Sequence, residues 1–248
     1  MRDKFKLRHL DILIEEDPEK RDTSILMKEI LGYKQSFFSK TKWFLKNFVK
    51  IKEITNEIVS IKYEDIELDK EHHIKYPAAI DHISYLQMVN LQSLTNSPND
   101  FTMSEHMARV IAIATYSENK FSKYEPESES FIRYKNYILE SKMFSMIGLY
   151  TFIMDGLEKV GKSWDEKFLS VEVIDEDLEA HGGEQLQQFN IINTIKTICS
   201  DFNCDESEAW HKSYYMVMSN SYSKAYANYI QKQIQITKEA QIRSKQIN

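Results

Sequence analysis

Turn-forming residues are scarce: the 248 residues hold six glycines and four prolines, about a third of average usage. That shortage excludes a collagen-like chain, a Gly/Ser linker and a many-turned all-β fold, and it favours long helices. Cysteine is scarcer still. Cys199 and Cys204 are the only two, too few to staple a chain of this length, and their spacing fits no metal or redox motif. The expectation is a reducing cytoplasm. Long hydrophobic runs are missing as well. The longest, Met143 to Met154, is interrupted by Ser145, Gly148 and Thr151 and is too short to span a bilayer. Near the N-terminus, Ile12-Leu-Ile14 meets Glu15-Glu-Asp17 at once, which is not a signal h-region. A soluble chain without a membrane partner is expected. The net charge of −6 leaves no overall nucleic-acid footprint. What the chain does hold is aromatic side chains, 14 Tyr, 13 Phe and 3 Trp, and these exclude ordinary disorder.

Periodicity predicts a mainly α fold, a helical bundle with a small β element and a long C-terminal helix. Residues 4–14 partly alternate, with Phe5, Leu7, Ile12 and Ile14 as inward positions, and read as a short strand. A helix capped at Asp22 or Thr23 runs to about residue 31. Val59, Ile61 and Tyr63 alternate like a second strand, and Leu169, Val171 and Val173 like a third. Tyr76-Pro77 marks a boundary. Beyond it Ile80, Ile83, Gln87, Leu91 and Leu94 share one helical face, with Gln87 as the polar member. Further helices carry Met107, Val110, Ile111 and Ala114, then Phe131, Tyr134 and Ile138, then the apolar run 143–154, closed by Gly156 and Gly161. Ile191, Ile195, Ile198 and Phe202 form another stripe. Asp205 with Glu208 makes a capping-box-like start for a helix expected to run unbroken to about Lys245, since no Gly or Pro follows. Three segments result: 1–76, α+β with a basic-aromatic helix; 77–205, a helical core; and 206–248, the C-terminal helix.

Motifs for chemistry are few. His72-His73, Asp69, Asp81 and His82 are the densest group of potential metal ligands. Asp81 and His82 are adjacent and point apart on a helix, so a solvated turn is the better reading. Cys199, Cys204, His211 and His181 match no knuckle or finger spacing, and a buried Cys199 behaves as a small hydrophobe. No metal and no cofactor is expected. No nucleophile elbow or Cys-His signature occurs. Gly156-Leu-Glu-Lys-Val-Gly-Lys-Ser163 fits the phosphate-loop expression letter by letter. It follows a helical rather than a strand-like segment, however, and Glu158 would repel phosphates. A nucleotide-binding enzyme built on Gly156–Ser163 is therefore the alternative, and a non-enzymatic protein the main expectation.

Two surfaces are candidates for partner binding. Residues 34–52 contain no carboxylate, and Lys42, Lys46 and Lys50 interleave with Trp43, Phe44 and Phe48. Aromatics in the core and lysines in water explain this pattern, while an anionic partner, nucleic acid included, is the functional alternative. The acidic stretch 155–184 is a ready electrostatic complement. In the C-terminal helix Tyr215, Met218, Tyr222, Ala225 and Tyr229 repeat at the coiled-coil interval, and Ile236 rejoins them a heptad later. The proximal half is expected to pack on residues 186–202. The distal half, with Tyr226, Tyr229, Lys232 and Ile236, is expected to engage a partner or another subunit.

Ile83-Ser-Tyr-Leu-Gln-Met-Val-Asn-Leu91 and the stretch Ile191 to Met218, with Phe202-Asn-Cys-Asp205 between its helices, resemble segments of structural and assembly proteins of tailed bacteriophages. The similar proteins are those of the baseplate hub, tail assembly and head–tail connector. The resemblance covers about a quarter of the chain and carries over no functional residue. It implies a virion component assembled in the host cytoplasm, an oligomer or part of a larger assembly, with other virion structural proteins as partners.

Overall fold

Eight α-helices form among the residues that the computed structural model describes, namely 5–14, 74–77, 79–96, 101–120, 122–171 and 190–247. The fold is mainly helical. Among the described residues there is no strand, only two isolated antiparallel bridges, Lys6–Lys142 and Ser84–Ser213. The chain divides into two compact units, Met1–Pro77 with Val89–Asp155 and Ala78–Met88 with Gly156–Asn248.

In the first unit the expected strand at 4–14 is replaced by a 3-10 turn, Leu7–His9, and helix α1, Leu10–Ile14. Of the expected inward positions Phe5 and Leu7 are buried and Ile12 is half-buried, and Leu10 is buried besides. The Leu7 N–H donates to the Ser141 carbonyl at 3.0 Å, and the Met143 N–H donates to the Phe5 carbonyl at 2.8 Å. Pairing stops there because the facing chain is a linker between two helices, too short to supply a ladder. The Lys6 N–H donates to His9 Nδ1 at 3.0 Å and closes the turn.

Helix α2, Tyr85–Asn96, gives residues to both units. It buries the predicted face, Gln87 included. Gln87 is the third residue of a capping box: its Oε1 accepts the Ser84 N–H at 3.1 Å while the Gln87 N–H donates to Ser84 Oγ at 3.2 Å. Helix α3, Met103–Lys120, is buried nearly continuously from Ser104 to Tyr116, apart from Glu105 and Arg109. Asp11 of α1 accepts the Ser104 N–H at 2.8 Å, placing a carboxylate at the positive end of α3.

Helix α4, Glu129–Leu139, is capped by Ser128, which accepts the Phe131 N–H. It turns Phe131, Tyr134 and Ile138 inward. Phe131 and Tyr134 meet Tyr116 with ring centroids 5.9 Å apart. Thr115 Oγ1 donates to the Ile111 carbonyl at 2.7 Å, so the Tyr134 hydroxyl donates to Thr115 at 2.9 Å. Burial pushes the Tyr134 phenol up to about 12.

Helix α5, Met143–Leu169, runs through both expected stops, Gly156 and Gly161, and also gives residues to both units. Where the third strand was expected, Leu169 belongs to α5 and Ser170–Val171 form a turn, while Val173 lies outside the described residues. The second, Val59–Tyr63, lies outside the described residues.

In the second unit helix α6, Asn190–Phe202, buries Ile195 and Ile198 against Ala209 and Val217. Helix α7, Glu206–Trp210, has the predicted cap, with the Glu208 N–H donating to Asp205 at 2.8 Å. It ends at once, correcting the expectation of one helix from 206. The Lys212 carbonyl accepts the Tyr85 N–H, and the Tyr214 N–H donates to the Ile83 carbonyl, each at 2.8 Å. That two-bond bridge holds residues 211–213 out of helical register. Helix α8, Tyr214–Ile247, then continues for 34 residues, about 51 Å at 1.5 Å per residue.

Candidate functional site

The first turns of α8 are anchored. Tyr214 and Val217 are buried. Tyr215 packs on Trp164 and Tyr222 on Phe168, with centroids 5.9 and 5.8 Å apart. Asp201 of α6 accepts from Asn220 and pairs with Lys224. The expected packing of the proximal half on α6 is therefore present. From Tyr226 to Ile242 every side chain is exposed except the half-buried Tyr229.

These exposed residues are partly sorted by type. Tyr226, Tyr229, Ile230, Ile234 and Ile236 fall within one broad face at 100° per residue, which also carries Gln233, Thr237 and Gln241, while Lys224, Gln231, Gln235, Lys238 and Glu239 fall on the other together with Ile242. Tyr226 is 48% exposed, Ile234 49% and Ile236 50%. The tyrosines continue as a ladder, Tyr222 to Tyr226 at 6.1 Å and Tyr226 to Tyr229 at 6.4 Å. Of the residues expected to bind a partner, Tyr226, Lys232 and Ile236 are exposed and Tyr229 is half-buried. Ile230 and Ile234 were missed by the heptad, although the i, i+4 steps from Tyr226 lead directly to them. Lys42, Lys46 and Lys50 lie outside the described residues.

The other candidate sites resolve less favourably for chemistry. Gly156–Ser163 lies wholly inside α5, so its backbone N–H groups serve the helix ladder instead of facing a phosphate. Lys162 Nζ sits 2.5 Å from Glu158 one turn away, and this bond raises the lysine and lowers the carboxyl from their ordinary values. A Cβ built on Gly161 meets nothing within 4 Å, so nothing approaches closely enough there to require glycine. Cys199 and Cys204 are free and pack half-buried against the Ile195–Ile198 cluster. His82 is exposed, edge-on to Tyr215 at 5.9 Å. His72, His73, Asp69 and His181 lie outside the described residues. Among the described residues no three His, Cys, Asp or Glu side chains gather as a metal site, and no helix is long and apolar enough to cross a membrane.

A recess of about 170 Å³ in the first unit is lined by Asn90, Ser93, Arg109, Tyr124, Glu127 and Phe131, among others. Its cation is already engaged: Arg109 donates to Glu127 at 2.8 Å and to Glu105 at 3.1 Å, and it lies over Phe101. Burial pushes the Tyr124 phenol up, so it stays neutral. The recess therefore offers neither a free charge nor an activated nucleophile. Comparison with known proteins gives no match to a family model, to a curated protein or to a solved structure.

Proposed function

We propose that this protein is a non-enzymatic assembly component that works by helix-mediated protein–protein binding, with the distal half of α8 as its docking element. One observation carries the reading: an anchored helix holds an apolar face, Tyr226, Ile230, Ile234 and Ile236, that the chain leaves exposed. Covering the exposed half of each isoleucine contributes on the order of 1 kcal/mol. A partner helix thus has a driving force that the isolated chain leaves unused. The resemblance of Ile83–Leu91 and Ile191–Met218 to baseplate-hub, tail-assembly and connector proteins supports placing it in a tailed-phage virion, assembled in the host cytoplasm beside other structural proteins. Ile83–Leu91 leads into and opens α2, and Ile191–Met218 spans α6, α7 and the anchored start of α8.

Deletion of residues 231–248 tests the reading. The truncated chain is expected to keep its melting temperature within a few degrees and to lose sedimentation with the particle's other proteins. Unfolding on truncation would put the distal helix in the core. Normal assembly by a folded, truncated chain would remove it from the function.

A further inference from the structure

The distal face of α8 is self-complementary, and we infer that its occupant is a second copy of the same helix, running antiparallel. This rests on the reading of α8 as a docking element. Counting heptads through Tyr222 puts Tyr226, Tyr229, Gln233, Ile236 and Ala240 at the seam. The seam runs on to position 243, an arginine, and position 247, an isoleucine. Tyr222 is held by Phe168, so the free seam runs from position 226 to 247, about three heptads and about 33 Å of helix, enough for a sustained pair.

Antiparallel pairing of two such helices about a twofold axis between positions 234 and 235 brings the seam positions of the two copies into register. Tyr229 falls opposite Ala240 of the second copy, a large residue against a small one. Gln233 falls opposite Ile236, a polar layer on each side of the axis that costs stability and specifies register, and Tyr226 falls opposite position 243. Between the layers on one flank, Lys232 lies beside Glu239 of the second copy, and by symmetry the pair occurs twice. On the other flank Ile230 lies beside Thr237, again twice, while Ile234 falls outside the seam and both flanks. Lys232, Glu239 and Thr237 are exposed in the single chain, and Ile230 is 39% exposed.

Parallel pairing loses these matches. Arginine would meet arginine at position 243, Tyr226 would meet Tyr226, and Lys232 would lie beside Thr237 with no opposite charge. Positions 226 to 247 contain four basic residues, Lys232, Lys238, Arg243 and Lys245, and one acidic residue, Glu239. Only the antiparallel stagger uses that single carboxylate against a lysine on both sides. A foreign acidic helix would need no such internal symmetry, and the symmetry is what selects a second copy.

The test is charge reversal read by sedimentation equilibrium on the full chain. The wild-type chain is expected to be a dimer. Lys232→Glu and Glu239→Lys each turn two attractive pairs into two repulsive ones, and each is expected to raise the dimer dissociation constant roughly tenfold or more. Both positions are exposed, so at a concentration where the wild-type chain is also dissociated the melting temperature by circular dichroism should match that of wild type. An equimolar mixture of the two variants restores every pair, because positions 232 and 239 then carry opposite charges across the seam on both sides. The mixture is expected to regain the wild-type dimer. A mixture that stays dissociated overturns the antiparallel register. A wild-type chain that is monomeric at high micromolar concentration overturns self-pairing altogether. In that case, loss of co-sedimentation on deleting residues 231–248 would still uphold the docking role of α8, so the two failures are distinguishable.

Discussion

His106 lies on the buried side of α3, 5% exposed, with its ring edge-on to Tyr150 at 6.0 Å and its Nδ1 without a hydrogen-bond partner. Burial lowers its pKa from the ordinary histidine value near 6.5. The native state therefore keeps the imidazole neutral at a pH where the unfolded chain already takes up a proton. Protons bind more to the unfolded chain below about 6.5, so this group favours unfolding as the pH falls through that value and has no such effect above it. The melting temperature is expected to decline between pH 7 and pH 5. His106→Phe should flatten that decline while changing the value at pH 8 little, and an identical slope in the variant would show that another group carries the dependence. At this scale the caps were legible where one side chain does the work, as with Asp205 and Glu208. The Ser84–Gln87 box was not, because a polar residue at a buried helical position looks like an exception until its N–H and Oε1 are both seen bonded to Ser84.

Glycine in a helical pattern reads as a stop, and the two glycines of α5 show why that signal is weak. Neither ends the helix. Gly156 makes room for a neighbour: a Cβ there would lie 2.5 Å from Ile80 Cγ1, and Ile80 is itself buried. Gly161 faces open space. Gly161→Ala is therefore expected to stabilise the protein by about 0.5–1 kcal/mol, the usual helical gain. Gly156→Ala should destabilise it by about 1–3 kcal/mol through overpacking. Thermal or urea unfolding of both variants checks the pair, and equal effects of the same sign would contradict these environments. A phosphate-loop expression can thus be matched by letters whose backbone is fully engaged in a helix. The break at 211–213 was invisible for the opposite reason. No Gly or Pro marks it, and its cause is a backbone bridge to residues 83–85, far away in sequence.

For the molecule as a whole, the helical character follows from the scarcity of turn-formers and from the 3- and 4-residue spacing of Met107, Ile111, Phe131, Ile138, Ile195 and Ile198, all buried as expected. The strand at 4–14 failed because alternation specifies two faces but not a partner edge. The exposed face of α8 was half legible: the heptad located Tyr229 and Ile236, while Tyr226, Ile230 and Ile234 lie off it and depend on the breadth of the exposed face. Helix α8 is anchored up to about Lys224 and exposed beyond it, and in the proposed function a partner covers that exposed part. Amide hydrogen exchange along α8, compared between the dissociated chain and its assembled form, tests this most directly. Amides of residues 217–224 are expected to be protected in both states. Those of residues 230–247 are expected to exchange quickly in the dissociated chain and to slow markedly on assembly. Strong protection of 230–247 in the dissociated chain, or no gain on assembly, would contradict the account.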